Sequence, residues 1–179
     1  MTQNLGNWQE LGREEVFRKY GRGIERVRFR LPKGNETDFY LRSGHDSIAC
    51  VALTNDQQVI LVKQFRPGPK KVLLELPGGG LQPGESPEEA MARELLEETG
   101  YRGEVTWVTG VVHDAYSVYT KNALVVQNCV KVGEPKLEDN GEELEVVLMS
   151  LEDFREHLQS GQLTDMEIGY LGLDHLGLL

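Results

Sequence analysis

Cysteine, basic residues and long apolar runs are all scarce in this chain, and each scarcity closes off a class of protein. Only two cysteines, Cys50 and Cys129, occur in 179 residues, each inside an apolar, strand-like run and without metal-ligand spacing between them. A disulfide framework and a thiolate metal site are excluded, and two buried, reduced thiols in a cytoplasmic protein are expected. Lys and Arg together number 19 against 29 Asp and Glu, a net charge of −10, which argues against general binding of nucleic acid through its phosphates. A phosphate ligand remains compatible with such a chain where metal ions screen the repulsion. No apolar run approaches the roughly eighteen residues of a membrane span. The opening stretch MTQNLGNWQELGREE has neither a basic patch nor an apolar core, so no secretory signal and no membrane association are expected. With 39% hydrophobic and 27% charged residues the composition is that of a globular protein, neither disordered nor collagen-like.

Repeats, low-complexity tracts and long linkers are absent too. Gly12–Tyr20 reads as a short helix stopped by Gly21 and Gly23. Ile24–Leu31 alternates, with Val27, Phe29 and Leu31 on one face and Arg26, Arg28 and Arg30 on the other. That arginine row is either a solvated strand face or a surface for a partner subunit or an anionic ligand. Asp38–Arg42 reads as the returning strand, and Ser47–Leu53 with Val59–Phe65 as a hairpin. Val72–Leu76 then runs into Pro77 and three glycines, a helix is expected over Pro87–Thr99, and strands over Val105–Val112, Leu124–Val132 and Leu144–Met149. Helices near Leu151–Ser160 and Asp165–Leu176 close the chain. Clustered strands without regular βαβ alternation place it in the α+β class. Two parts are expected: an N-terminal strand-forming arm over 1–44 and a main domain over 45–179.

The chemistry concentrates in GGLQPGESPEEAMARELLEETGY, residues 79–101. Ser86, Pro87 and Glu89 form a capping box with proline at the first helical position, and Gly100 supplies the left-handed stop. Ala92, Leu95, Leu96 and Thr99 are expected on a face packed against a sheet, with Glu94, Glu97 and Glu98 gathered opposite. Carboxylates this close repel one another, and a hard divalent cation removes the penalty, because Mg²⁺ and Mn²⁺ prefer carboxylate oxygens. An ordinary solvated acidic face is the alternative. Gly78, Gly79 and Gly80 permit a tight turn that would bring a backbone carbonyl to the carboxylates. Glu85 and Arg93 are spaced to pair across the loop–helix junction.

Gly79, Glu85, Arg93, Glu94, Leu95, Glu97, Glu98, Gly100 and Tyr101 fill the pattern G-x5-E-x7-R-E-U-x-E-E-x-G-U, with U a bulky apolar residue, and so the chain resembles the Nudix hydrolases. Its seven fixed identities coincide by chance in roughly one window in 10⁸–10⁹ at ordinary residue frequencies. The resemblance implies a Nudix-type α/β/α sandwich with a mixed β-sheet, and Mg²⁺- or Mn²⁺-dependent hydrolysis of a diphosphate bond. It implies Glu94 and Glu98 as metal ligands, Glu97 close by as a further metal or catalytic carboxylate, and the carbonyl of Gly78 or Gly79 as a backbone ligand. Arg93, partnered by Glu85, would orient them.

Upstream, Gln64-Phe65-Arg66 followed by Glu75-Leu76-Pro77-Gly78-Gly79 resembles the branch that acts on ADP-ribose and other nucleoside diphosphate sugars. In that branch Arg66 can meet a phosphate and Glu75 can accept sugar hydroxyls, a strand-end ion pair and a solvated carboxylate being the alternatives. Arg42 is a further candidate substrate contact, and Tyr116 and Tyr119 either stack on the nucleotide or are interface or core aromatics. Where ADP-ribose-specific members carry a proline, this chain has His113-Asp-Ala-Tyr-Ser-Val-Tyr, which points to a broader nucleotide-sugar preference such as ADP-glucose or GDP-mannose. An acidic loop, Glu138–Glu145, precedes the last strand, and the resemblance assigns Glu142, with Glu143 as rival, as general base. A homodimer is also implied, since arms of this kind commonly cross to a partner subunit. A nucleoside triphosphate pyrophosphohydrolase and a non-catalytic nucleotide-sugar sensor are the alternatives.

Overall fold

The computed structural model describes residues 6–136 and 143–179, and the chain divides into two compact units. The first comprises the described residues up to His45 together with Val112–Thr120; the second comprises Asp46–Val111 and Lys121–Leu179.

In the first unit, β1 (Gln9–Lys19), β2 (Arg22–Arg30) and β3 (Glu36–Ser43) form an antiparallel sheet in sequential order. The helix expected over Gly12–Tyr20 is therefore a strand. Its ladder to β2 slips between Glu10 and Gly12 and again between Glu15 and Phe17. Two such irregularities break the period of two, so the segment has no strand signature while its Glu and Arg content favours helix. Gly21 does not stop a helix: with Tyr20 it makes the two-residue turn of the hairpin, both at positive φ (51° and 70°). The arginine row is neutralised across the sheet, Arg26 by Glu14 at 3.0 Å and Arg30 by Glu36 at 2.8 Å, a solvated ion-pair face. Val112–Thr120 joins this unit through β3, where the Arg42 amide donates to the Tyr116 carbonyl and the Val118 amide to that of Arg42.

The second unit is built on a seven-stranded mixed sheet. Its path runs β10 (Glu145–Met149), β5 (Val59–Arg66), β4 (Ser47–Thr54), β9 (Thr120–Lys131), β8 (Tyr101–Val112), with β6 (Lys71–Glu75) beside β5 and β7 (Gly78–Gly80) beside β4. Strand β4 pairs in parallel with β9 and is buried on both faces. Ala49, Val51 and Leu53 enter one core with Phe154, Leu158, Ile168 and Leu173, from α2 (Leu151–Gln159) and α3 (Met166–His175). Ile48, Cys50 and Ala52 enter the other with Ala90, Met91 and Leu95 of α1 (Pro87–Thr99). Alternate residues of one strand thus serve two helical layers, and each fully buried Val, Ile or Leu contributes about 1.5–3 kcal/mol. This is the expected α+β sandwich. The buried face of α1 is Met91, Leu95 and Thr99 with Ala90 beside it, rather than the expected face containing Ala92, which is exposed. Both cysteines are free and buried, as expected. None of the described helices is long and apolar enough to cross a membrane.

Candidate active site

Helix α1 starts where the capping box places it: the Glu89 amide donates to Ser86 Oγ, and the Ser86 amide donates to Glu89 Oε2 at 2.9 Å. It stops at Gly100, φ 74°, whose amide donates to the Leu96 carbonyl. Between these fixed ends Glu94, Glu97 and Glu98 are half-buried beside the glycine segment.

That segment is not the tight turn expected from its sequence. Gly78–Gly80 is a short strand antiparallel to β4, with Gly80 opposite Ser47 and Gly78 opposite Ala49. The glycines are required by close approach. A Cβ on Gly79 would overlap the Glu94 carboxylate, and one on Gly78 would overlap the backbone of Ile48. The Gly78 amide donates to Glu98 Oε2 at 3.0 Å. Two carboxylates one helical turn apart are therefore each seated on a glycine of the neighbouring strand.

Arg93 ties the pieces together. Its Nε and Nη2 donate to the two Glu85 oxygens, both at 2.9 Å, in the bidentate arrangement that guanidinium and carboxylate favour. Its Nη1 donates to Glu94 Oε1 at 2.8 Å and to Glu97 Oε2 at 3.2 Å, and Nη2 also reaches the Gly80 carbonyl. One side chain joins loop, helix and strand. Hydrogen bonding from Arg93 holds the Glu85 carboxyl below the usual carboxylate range, whereas burial pushes Glu94 above it despite the same guanidinium.

Among the described residues no three acidic, histidine or cysteine side chains converge as a ready-made metal cage; Glu94 and Glu97 converge on Arg93 instead. The donors nonetheless suit a hard divalent cation: carboxylate oxygens gathered on one helix face, and a glycine where any side chain would displace one of them.

The expected substrate contacts fall in different surroundings. Arg66 is 40% exposed, and its Nε donates to Glu75 Oε2 at 2.5 Å. Glu75, expected to accept sugar hydroxyls, is 1% exposed, and its other oxygen already accepts from Thr164 Oγ1 at 2.5 Å. Both oxygens are thus engaged inside the protein, where Glu75 anchors Arg66 and Thr164. In the first unit Arg42 pairs with Asp114, Tyr116 is exposed with its ring 6.5 Å from Phe39, and Tyr119 stacks on His113 at 5.3 Å. Glu142 lies outside the described residues, and Glu143 is exposed. Sequence reasoning passed over Thr164, which reaches Glu75 from 89 positions away. It also passed over Lys121, buried at the head of an apolar strand with Asp165 at 2.6 Å and Glu167 at 2.8 Å. The one local sign was a lysine opening the run Lys121–Val126.

The site is thus a strand–loop–helix whose gathered carboxylates share an arginine locked to Glu85, set on a mixed sheet between helical layers. The chain matches the NUDIX domain over residues 44–166 and belongs to the Nudix hydrolase family, whose members generally use divalent metal ions. It is 31% identical over 147 residues to an ADP-ribose pyrophosphatase of Bacillus subtilis, covering 78% of this chain and 77% of that one. Over 47 residues, 26% of this chain and 22% of the relative, it is 64% identical to an ADP-sugar pyrophosphatase of Mus musculus. A crystal structure described as an ADP compounds hydrolase superposes with a TM-score of 0.81 over 98% of both chains at 23% identity, a likeness of fold.

Proposed function

We propose that this Nudix hydrolase cleaves the diphosphate of a nucleoside diphosphate sugar, of the class that includes ADP-ribose, ADP-glucose and GDP-mannose. Water adds to one phosphorus, the bridging P–O bond breaks, and a nucleoside monophosphate and a sugar phosphate leave. The observation that carries the reading is the seating of Glu94 on Gly79 and Glu98 on Gly78, with Arg93 locked to Glu85 behind them. The likeness to relatives named ADP-ribose pyrophosphatase and ADP-sugar pyrophosphatase supports a nucleotide-sugar substrate.

Glu94, Glu97 and Glu98, with a backbone carbonyl of Gly78 or Gly79, would hold Mg²⁺ or Mn²⁺. Such an ion, when bound, offsets charge on the diphosphate oxygens and acidifies a coordinated water. Arg93 fixes the rotamers of Glu94 and Glu97. Arg66 offers its exposed guanidinium to a phosphate, held by Glu75 at its Nε edge. A carboxylate of the acidic loop, Glu142 or Glu143, takes the proton of the attacking water. Arg42, Tyr116 and Tyr119 are proposed substrate contacts on their sequence positions.

Incubation with a panel of nucleotide sugars and nucleoside triphosphates in Mg²⁺, with products resolved by chromatography, tests the reading. Monophosphate plus sugar phosphate is the expected outcome; pyrophosphate released from triphosphates alone would replace it. We also propose a homodimer formed through the arm over 1–44, where Val16, Phe17 and Tyr20 of the β1 hairpin are exposed. Light scattering should give twice the chain mass at micromolar concentration, and a fully active monomer would reject the dimer.

A further inference from the structure

The segment that seats the carboxylates is short, glycine-only and in itself without rigidity. Three successive glycines carry high backbone entropy and no side chain to pack. Besides its ladder to β4, the segment is tied down at its flanks, and both flanks lead to the stretch Thr164–Glu167 at the start of α3.

On the N-terminal flank stands Glu75, three positions before Gly78. Its carboxylate is buried and grips Arg66 of β5 with one oxygen and Thr164 with the other, each at 2.5 Å. On the C-terminal flank, Gly80 pairs with Ser47 of β4, and Ser47 pairs on its other side with Lys121 of β9. The neighbouring Asn122 stitches the same place, its Nδ2 donating to the Ser47 carbonyl at 3.2 Å and its Oδ1 accepting from Trp107 Nε1 at 3.1 Å. Lys121 is 7% exposed and donates to Asp165 at 2.6 Å and to Glu167 at 2.8 Å. Thr164, Asp165 and Glu167 are one stretch of chain. It reaches one end of the glycine strand through Glu75 and the other through Lys121 and Ser47.

Asp165 bears the mark of this arrangement. It occupies the N-cap of α3, where an aspartate normally accepts from the helix's own amides, yet it makes no side-chain cap hydrogen bond. Its carboxylate takes the lysine instead. A cap has been given up for a tertiary tie, and the tie compensates a lysine that is otherwise buried.

We infer that Thr164, Asp165 and Lys121 are positioning residues that brace the Gly78–Gly80 strand against Glu94 and Glu98 from both ends. The inference rests on the diphosphate-hydrolase reading for its effect on turnover, and on geometry alone for its effect on the strand. None of the three touches the carboxylates of α1 directly; they act through Glu75 and Ser47.

Thr164→Val keeps the shape of the side chain and removes only the hydroxyl, while Thr164→Ser restores it. Lys121→Met tests the other flank by an independent route. The first measurement is hydrogen–deuterium exchange of the peptide spanning residues 76–81 in the full chain. Both Thr164→Val and Lys121→Met should speed it by about tenfold while α1 and β5 keep their protection, and Thr164→Ser should match the wild type within about twofold. The second is Mn²⁺ binding without substrate, by calorimetry, where affinity should fall about fivefold or more with the same order among variants. The third is kinetic: kcat should fall about tenfold at saturating metal with KM changed less than about twofold. Unchanged exchange over residues 76–81 in both variants overturns the brace, whatever the activity. A wild-type protein that hydrolyses no nucleotide sugar, yet shows the exchange pattern, overturns the functional reading and leaves the brace standing. Should Thr164→Val fail to fold, Lys121→Met and Thr164→Ser decide the matter by the same exchange criterion.

Discussion

Glu98 and Glu85 are both glutamates of the same box, and their surroundings give them opposite tasks. Glu98 accepts the Gly78 amide through Oε2, a bond that glutamine could also accept. Glu98→Gln should therefore leave the fold intact, as judged by circular dichroism and melting. It should lower kcat/KM by about a hundredfold or more, because a neutral amide is a poor ligand for a hard cation. Near-wild-type turnover in the folded variant would remove this acidic face from the reaction. Glu85 works through Arg93, whose hydrogen bonds hold its carboxyl below the ordinary value of 4.5. A group with a depressed folded value stabilises the protein above its unfolded value, and that stability disappears as pH falls through the folded one. Melting temperature should accordingly drop in the wild type as pH falls below the ordinary value of 4.5. Glu85→Gln should be less stable at neutral pH, by about 1–2 kcal/mol for a charge-assisted pair that is partly solvated, and should show a shallower acid limb. An equally steep limb in the variant would assign the acid sensitivity to other carboxylates.

At the scale of elements, β7 and α1 act as one unit, and three adjacent glycines should respond differently to the same added methyl group. Nothing stands within reach of a Cβ on Gly80, so Gly80→Ala should be close to wild type in melting and activity. On Gly79 the methyl would meet only the end of the Glu94 side chain, so Gly79→Ala should fold normally while kcat falls about a hundredfold, since small displacements of catalytic groups carry large costs. On Gly78 it would meet β4 backbone, so Gly78→Ala should lose stability first. A Gly79→Ala protein with normal kcat would show that Glu94 need not stand where it does. Sequence alone revealed α1 to the residue, because its cap, its proline and its terminal glycine are local signals in consecutive positions. It revealed the Glu85–Arg93 pair for the same reason, the partners lying eight residues apart across the loop–helix junction. It misread β1, whose bulges erase alternation, and it misread Gly78–Gly80, where glycine marks a close approach that only a tertiary neighbour can reveal. The tie from Glu75 to Thr164 was illegible for a related reason: the two lie 89 positions apart, beyond any periodicity.

At the scale of the molecule, the buried apolar residues belong almost wholly to the second unit, whereas exposed ones occur in both. Strand β1 is exposed along nearly its whole length, with Val16 and Phe17 at 52% and 57%, whereas β4 is buried almost from end to end. Phe17→Arg should thus abolish the homodimer proposed for this arm without lowering the melting temperature of the second unit, a result that light scattering and differential scanning calorimetry would read together. An unchanged particle mass would place the contact elsewhere. The cysteines of β4 and β9 give the buried sheet a consequence of another kind. Burial raises the Cys50 thiol, and pushes that of Cys129 up to about 11, so neither presents a thiolate at neutral pH. An alkylating or disulfide-exchanging reagent should find nothing to modify on the native chain, and should take up two equivalents only after the central strands part. The pair then serves as a built-in gauge of conformational opening: the rate of labelling in dilute urea reports how often the sheet comes apart, with no residue changed.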